Sequence, residues 1–429
     1  MFGYRFLVLG SGGREHAIAW ALSKSSKTMQ VISAPGNPGT EQCGINVPVD
    51  LSDSKAVIAL ARDFEVDVVV IGPEQPLVDG LSDDLRSLGI AVFGPDKYGA
   101  QLEGSKEFAK NLMKEFGVPT ADYATFDFAD RASIETYIKE SAQTPIVLKA
   151  DGLAAGKGVF ICLSKQEALE RLDYIAADSS LSKAAGKLVI EEFMDGEEVS
   201  VFAICDGSEY VLLTAAQDHK RIGDGDTGLN TGGMGAYTPA PIADDSVLKK
   251  VEETIVKPMI NGLKAKGHPY VGVLYCGLMI KGDSVRVVEF NCRFGDPECQ
   301  VILPQLESDF AELIINSSHG TLNKYKMRVK NGFHCSVVLA SQGYPESYEK
   351  GKVISGLDSI TGDKTFVFHS GTIKANESIL TNGGRVLNVV GYGRTLEQAI
   401  DQAYKMVEKV QFDGAYFRTD IGKKGLKSR

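Results

Sequence analysis

Three short apolar runs near the start of the chain, each stopped by glycine, constrain the fold most. They are RFLVL at 5–9, VDVVVI at 66–71 and AVF at 91–93. Runs without polar alternation suit strands buried on both faces, as in a parallel sheet. They end at Gly10-Ser11-Gly12-Gly13, Gly72-Pro73-Glu74 and Gly94-Pro95. Helical stretches lie between them, the first over 14–22. Strands alternating with helices predict a doubly wound α/β unit over roughly the first hundred residues. At 429 residues the chain exceeds a single core and requires two to four units.

The pattern then changes. Residues 105–116 predict a helix, with Ser105 capping its start, Gly117 closing its end and Pro119 beyond. Residues 145–150 and 158–162 read as strands joined by a glycine-rich turn. Residues 188–193 and 198–205 read as two more, joined through Asp195-Gly196, so antiparallel hairpins are expected. A helix over 245–266 should kink or break at Pro258. Strands at 271–280 and 285–290 pair across Gly282-Asp283, and a helix follows at 308–317. After Lys330, strands near 333–340, 366–370 and 386–392 and a helix over 395–410 form a smaller α+β unit. The basic tail, 423–429, reads as a frayed terminus.

Composition excludes several classes. The net charge is −10, from 46 basic and 56 acidic side chains, which argues against a nucleic-acid partner. Seven cysteines are scattered, odd in number and never spaced CxxC, so neither a disulfide framework nor a zinc site is expected. No run approaches the ~20 apolar residues that span a bilayer. The start resembles no signal or transit peptide, and a cytoplasmic location with reduced thiols is expected.

Several segments carry chemistry. Gly10 to Arg14 sits between a strand and a helix, where backbone N–H groups and the helix dipole favour a phosphate. Glu15 stands where the dinucleotide fingerprint needs glycine, which argues against a nicotinamide enzyme. Asn37-Pro38-Gly39-Thr40 and Gly72-Pro73-Glu74 follow neighbouring strands, at the edge where open α/β sheets collect ligands. Lys149 to Gly158 (KADGLAAGKG) is not a P-loop, because Gly152 and Gly156 are too close and a strand follows. Its small residues, with Gly156, Lys157 and Gly158, still suit a hairpin closing over a triphosphate, and Lys149 suits an inner phosphate.

Within VRVVEFN, period-two alternation places Val285, Val287, Glu289 and Asn291 on one face, roughly 7 Å apart in alternate steps. Glu289 and Asn291 then offer hard oxygens to magnesium, with phosphates completing its shell. Arg293 can hold a carboxylate or phosphate by a bidentate fork. Glu191 to Phe193 can present backbone groups to an adenine ring, with Glu198 near a ribose. Residues 217–239 hold six glycines and few apolar side chains. A polar loop of that length is functional or disordered, and Asp218, His219, Lys220, Arg221 and Asp224 favour function. The other histidines are isolated and read as structural or surface residues.

Together these residues resemble the ATP-grasp superfamily and, within it, the phosphoribosylamine–glycine ligase (glycinamide ribonucleotide synthetase) family. The resemblance runs through LGSGGREHA at 9–17, APGNPGT at 34–40, GPE at 72–74, LKADGLAAGKGV at 148–159, EEFMDGEEVS at 191–200, QDHKRIGDGDTGLNTGGMGAY at 217–237, EFNCRFGDPECQ at 289–300 and FRTDIG at 417–422. It implies an N-terminal doubly wound α/β substrate-binding domain at 1–104 and an ATP-grasp module at 105–328 with a mobile subdomain near 122–193. A small C-terminal α+β domain at 329–429 completes it. The chain stops soon after Gly422, so the single-activity form is expected, as a monomer.

The resemblance also implies a reaction. Glycine is joined to 5-phosphoribosylamine through glycyl phosphate, with ATP as co-substrate and Mg2+ (or Mn2+) as the metal, in purine biosynthesis. Lys106 and Lys149 would neutralise phosphates, and Glu191, Phe193 and Glu198 would hold adenosine. Gly12, Gly13, Asn37, Gly39, Thr40 and Glu74 would hold the phosphoribosylamine. Arg293 and Asp296 would meet a substrate, and Asp218 and Lys220 would line the reaction site. The alternatives are another ATP-grasp carboxylate–amine ligase and a nucleotide-binding sensor without turnover.

Overall fold

The protein is described by a computed structural model covering residues 3–153, 158–178, 186–362 and 364–427. Strands β1 (Tyr4–Gly10), β2 (Thr28–Pro35), β3 (Ile45–Asn46), β4 (Val68–Ile71) and β5 (Ala91–Phe93) form one parallel sheet, ordered β3-β2-β1-β4-β5. Leu7, Leu9 and Val69 pack on one side with Val57, Leu77 and Leu85. Phe6, Val8, Val68 and Val70 pack on the other against helices Gly13–Ser23 and Cys299–Gln305. Apolar cover on both faces is what the uninterrupted runs require. The strand order reverses between β1 and β4, and their carboxyl ends open the crevice where such sheets hold ligands.

A second sheet, ordered β6-β9-β7-β8, contains β6 (Tyr123–Asp127), β7 (Ile146–Ala150), β8 (Val159–Cys162) and β9 (Lys187–Glu192). Helices Arg131–Glu140 and Lys165–Ala177 close its core around Ile134, Ile138, Leu172 and Ile175. The expected pairing of 188–193 with 198–205 does not form. Both edges of β9 are taken by β6 and β7, while β10 (Glu197–Asp206) finds a ten-residue antiparallel partner in Val271–Lys281.

The chain continues through β11 (Tyr210–Leu212), β12 (Gln217–Asp218), β13 (Arg221–Gly223), β14 (Thr227–Asn230), β15 (Gly235–Thr238), β16 (Val271–Lys281) and β17 (Ser284–Asn291). Strands β11-β10-β16-β17 make an antiparallel sheet. Helices Lys106–Phe116 and Lys257–Ala265 cover it through Leu112, Met113, Met259, Ile260 and Leu263. Ser105 caps the first of these by accepting from Phe108 N, and Gly117 closes it at φ +70°. The 245–266 helix is interrupted before Pro258, by a π-turn over Glu252–Val256. Pro258 has no N–H to donate one turn back, and the wider turn absorbs the missing bond.

The last unit holds β18 (Phe333–Ser341), β19 (Val353–Ile354), β20 (Thr365–His369), β21 (Thr372–Ala375), β22 (Ser378–Thr381), β23 (Arg385–Gly393) and β24 (Ala415–Tyr416), with helix Leu396–Val407 packed on the sheet. Its main sheet runs β12-β15-β18-β23-β20. The polar glycine segment is therefore no loop: β12 and β15 join the C-terminal sheet, and β13-β14 form a hairpin. The tail is not frayed over 423–427, where Lys423–Leu426 form a 3-10 turn and Lys424 Nζ donates to the Asp218 carbonyl at 2.6 Å. Among the described residues, no helix is long and apolar enough to cross a membrane.

Candidate active site

Strand β17 organises the site, but not by simple alternation. Gly277 pairs with Glu289 while Leu278 pairs with Val287, so Val288 is an extra residue, a β-bulge. The bulge returns the core-facing role to Phe290, which packs with Val285 and Val287. Glu289 and Asn291 consequently share the opposite, half-buried face. The expectation that all four side chains share one face is corrected by this single inserted residue, which re-aims the polar pair away from the core. Neither Glu289 nor Asn291 has a side-chain hydrogen bond to a described residue. Two uncommitted hard oxygen donors on one face fit magnesium or manganese with phosphate oxygens completing the shell. No cluster of three or more acidic, histidine or cysteine ligands is found among the described residues.

Lysines surround this face. Lys149 Nζ donates to the Val288 carbonyl at 3.2 Å and lies 2.9 Å from Glu191 Oε2. Lys110 Nζ lies 3.2 Å from Glu191 Oε1 and donates to Thr120 Oγ1 at 2.8 Å. Burial pulls the Lys110 ammonium down to about 8, with Glu191 opposing. Lys106 Nζ donates to the Gly152 carbonyl at 3.2 Å; burial lowers its pKa, and the nearby Glu289 charge counters that. Asp151, at the root of the glycine hairpin, accepts from Glu107 N at 2.8 Å and from Ser105 Oγ. It thus sits on the N-terminus of helix Lys106–Phe116, where the dipole favours an anion. Gly156 and Lys157 lie outside the described residues; Gly158 accepts from Ala150 N at 2.9 Å.

The Glu191 carboxylate is buried between two lysines, and its strand is paired on both sides. Its side chain therefore holds Lys149 and Lys110. Phe193 is exposed in the link between β9 and β10. Glu198 opens onto the same region and pairs with Lys220 at 2.5 Å. The Lys220 charge holds the Glu198 carboxyl below its usual range.

A second cluster lies in the crevice at β1 and β4. Arg293 Nη2 donates to Glu103 Oε1 at 2.7 Å, Nε to Glu74 Oε2 at 3.3 Å and Nη1 to the Phe294 carbonyl at 3.2 Å. Burial works against the Arg293 charge, but Glu103 and Glu74 outweigh it and raise the pKa. Arg14 Nε pairs with Glu15 Oε1 at 2.6 Å, and its Nη1 reaches the Phe294 carbonyl at 3.1 Å. Glu15 Oε2 accepts from Gly12 N at 2.7 Å. A Cβ on Gly72 would lie 2.1 Å from Glu15 Oε1, so a carboxylate fills the space a dinucleotide would need. The Gly12 N–H is therefore not the free phosphate donor the glycine turn suggested.

Several other expected ligands are spent on the framework. Asn37 Nδ2 donates to the Ser11 and His369 carbonyls, and its Oδ1 accepts from Gly39 N and Thr40 N. Thr40 Oγ1 is bonded to Asn37 and Asn46. A Cβ on Gly39 would meet the His16 ring, and one on Gly13 would meet Ser370, Asn388 and Gln300. Asp296 accepts from Arg14 N and Gln300 and pairs with Arg385 at 3.2 Å. These residues fasten the first unit to the last. Their side chains are engaged within the framework, whereas Glu74 and Arg293 keep partly exposed side chains.

The third cluster joins β10, β12, β16 and the turn after β17. Glu298 Oε1 accepts from Tyr275 OH at 3.0 Å and from Ser200 Oγ at 3.3 Å. Burial first, and then Asp218, push its carboxyl up to about 7. Asp218 is likewise raised by burial, with Lys220 opposing. A folded pKa above the roughly 4.3 of a free glutamate means stability is full below that value and falls as pH climbs to about 7. Glu298→Gln keeps an acceptor for both hydroxyls and removes the titration. Its melting temperature should gain on the wild type between about pH 5 and about pH 8; a constant gap across that range would refute the assignment.

Glu103, Lys110, Glu298 and Lys424 were not singled out from the sequence. Lys110 follows Lys106 by four positions and so shares its helix face, a signal that was available. Glu103 meets Cys292 from 189 positions away, and nothing local announces that contact. The expectation of structural histidines agrees with the geometry of the buried rings. His16 Nδ1 accepts from His369 N, and His334 Nδ1 meets Gln305.

Comparison with known proteins decides the family. The N, ATP-grasp (A) and C domains of phosphoribosylglycinamide synthetase match residues 4–103, 104–299 and 334–424. The chain belongs to the phosphoribosylglycinamide synthetase family. A phosphoribosylamine–glycine ligase of Chlorobaculum tepidum is 45% identical over 427 residues, covering 98% of this chain and all of that one. The crystal structure of the Thermotoga maritima phosphoribosylamine–glycine ligase superposes with TM-score 0.83 at 37% identity, covering 97% of this chain and 100% of that one. A Hydrogenobacter thermophilus biotin carboxylase domain, solved with magnesium ADP, gives TM-score 0.74 at 17% identity over 97% and 92% of the two chains, a likeness of fold. As a member of the family the chain is a ligase with an ATP-grasp domain.

Proposed function

We propose that this chain joins glycine to 5-phosphoribosylamine at the expense of ATP, giving glycinamide ribonucleotide, ADP and phosphate in de novo purine biosynthesis. The observation that carries the reading is the convergence of Lys106, Lys149 and Lys220 on the Val288–Glu289 stretch of β17, with Arg293 in the crevice that follows it. A glycine carboxylate oxygen attacks the γ-phosphorus, and ADP leaves. The phosphoribosylamine nitrogen then attacks the glycyl phosphate carbonyl; phosphate leaves and the amine gives up a proton.

Such a sequence needs charge neutralisation and alignment, not a protein nucleophile. Burial pushes the Cys292 and Cys299 thiols up, which keeps both in the un-nucleophilic form. Lys106 and Lys149 receive phosphate oxygens, and Glu191 and Lys110 hold Lys149 in place. Glu289 and Asn291 would hold Mg2+ or Mn2+, which supplies further charge neutralisation at the phosphates. Phe193 and Glu198 border the nucleoside, Glu74 and Arg293 the co-substrates, and Asp218 and Lys220 the reacting groups. The chain works as a cytoplasmic monomer in this reading.

The test is ADP release from magnesium ATP, glycine and freshly generated phosphoribosylamine, omitting each in turn, with the product weighed by mass spectrometry. ADP formation that needs both co-substrates, together with the glycinamide ribonucleotide mass, is the expected result. ADP formed with neither co-substrate, or only with another acid and amine, would reduce the reading to an unspecified ATP-grasp ligase.

A further inference from the structure

We infer that Glu103 is a positioning residue for the anion clamp: its buried carboxylate sets where the Arg293 guanidinium points. The inference rests on the proposed role of Arg293 at the co-substrates. Glu103 lies on helix Lys97–Gly104, just before the helix that carries Lys106 and Lys110. Both of its oxygens are engaged in the turn after β17. Oε1 accepts from Arg293 Nη2 at 2.7 Å; Oε2 accepts from Cys292 N at 2.9 Å and from its thiol at 3.2 Å. One carboxylate therefore fixes the backbone just before Arg293 and the end of its side chain.

The two carboxylates on Arg293 are not equivalent. The Glu103 side chain is 7% exposed and that of Glu74 30%. Glu74 faces the crevice, where ligands enter; Glu103 lies behind the guanidinium. A guanidinium has five N–H groups. Three are engaged here, by Glu74, Glu103 and the Phe294 carbonyl, which leaves two for a co-substrate anion. Without Glu103, Glu74 is the carboxylate that remains on Arg293 among the described residues, and the fork turns onto it. A buried ion pair is weak evidence for stability, because desolvation consumes most of its attraction. Holding the fork ready for an anion gives this pair a purpose that stability does not.

The experiment is steady-state kinetics with each of the three substrates varied, on Arg293→Lys, Glu103→Gln and Glu103→Asp. In Glu103→Gln the amide sets N–H groups against either Arg293 or Cys292 N, so the clamp loses its rear anchor. Arg293→Lys identifies the co-substrate held by the clamp, as the one whose KM rises. Glu103→Gln should raise that same KM about tenfold or more, the usual worth of a hydrogen bond to a charged group, and leave the KM for ATP within about twofold. Glu103→Asp keeps the charge and should fall between; it carries the test if the glutamine variant does not fold. If Arg293→Lys raises a co-substrate KM and neither Glu103 variant does, the inference is overturned and the role of Arg293 stands. If no variant moves a co-substrate KM, the role of Arg293 fails, and the inference with it.

Discussion

Glu289→Gln is expected to lower turnover at least ~100-fold at low magnesium while leaving the fold intact, because it removes the one negative charge of the proposed metal-binding pair. The fold should survive because the Glu289 side chain is half-buried and makes no hydrogen bond to a described residue. Its surroundings explain the size of the effect. Burial lowers the Lys106 pKa and the Glu289 charge opposes it; burial also opposes the Lys220 charge, but Glu198 and Asp218 raise its pKa and Glu289 adds to them, so Glu289 lies within reach of both lysine charges. Glutamine preserves shape and an oxygen donor but not charge, so raising magnesium should restore part of the rate. The check is turnover against magnesium concentration, beside circular dichroism of the folded variant. Near-normal activity at low magnesium would remove Glu289 from the metal site.

Arg418→Ala should destabilise the protein by about 2 kcal/mol, as expected when a buried guanidinium loses its hydrogen bonds to charged partners that are partly exposed. The Arg418 side chain is 1% exposed. It grips Asp420 through Nε and Nη2, both at 2.7 Å, and reaches Asp226 at 2.8 Å and the Arg221 carbonyl at 3.0 Å through Nη1. Thr419 and Asp420 tie down Asp224 and Gly225 beside it. The β13-β14 hairpin therefore hangs on the C-terminal segment, and Lys220 is the residue next to it. Alanine leaves the partly exposed Asp420 without its cation and frees the hairpin. Amide exchange over 221–230 should accelerate, the urea midpoint should fall, and turnover should drop through Lys220. An unchanged midpoint with unchanged exchange would show that the network contributes nothing.

Much of the site was legible because its chemistry is written in contiguous runs. EFNCRFGDPE carries two candidate metal ligands, the clamp arginine and the buried Glu298 within ten residues. Lys149 stands at the strand end that opens the glycine hairpin, where a phosphate lysine was expected. What no local pattern shows is which of these side chains the fold also engages. Asn37, Thr40 and Asp296 look like ligands in isolation, but their partners are His369, Asn46 and Arg385. The Glu191 side chain likewise pairs with Lys110, on another element.

The sequence by itself determined the parallel sheet, the helix caps at Ser105 and Gly117 and the class of chemistry. These depend on local quantities: apolar periodicity, glycine turns and residue types at fixed spacing. Only the tertiary structure decided that an extra residue at Val288 turns Glu289 and Asn291 off the core face. It alone decided that the polar glycine segment is a set of strands joined to the C-terminal sheet, and that Glu103 stands behind Arg293. Each of those outcomes depends on hydrogen bonds between residues far apart in the chain. Such bonds form once packing has removed competing water, and no local pattern encodes them.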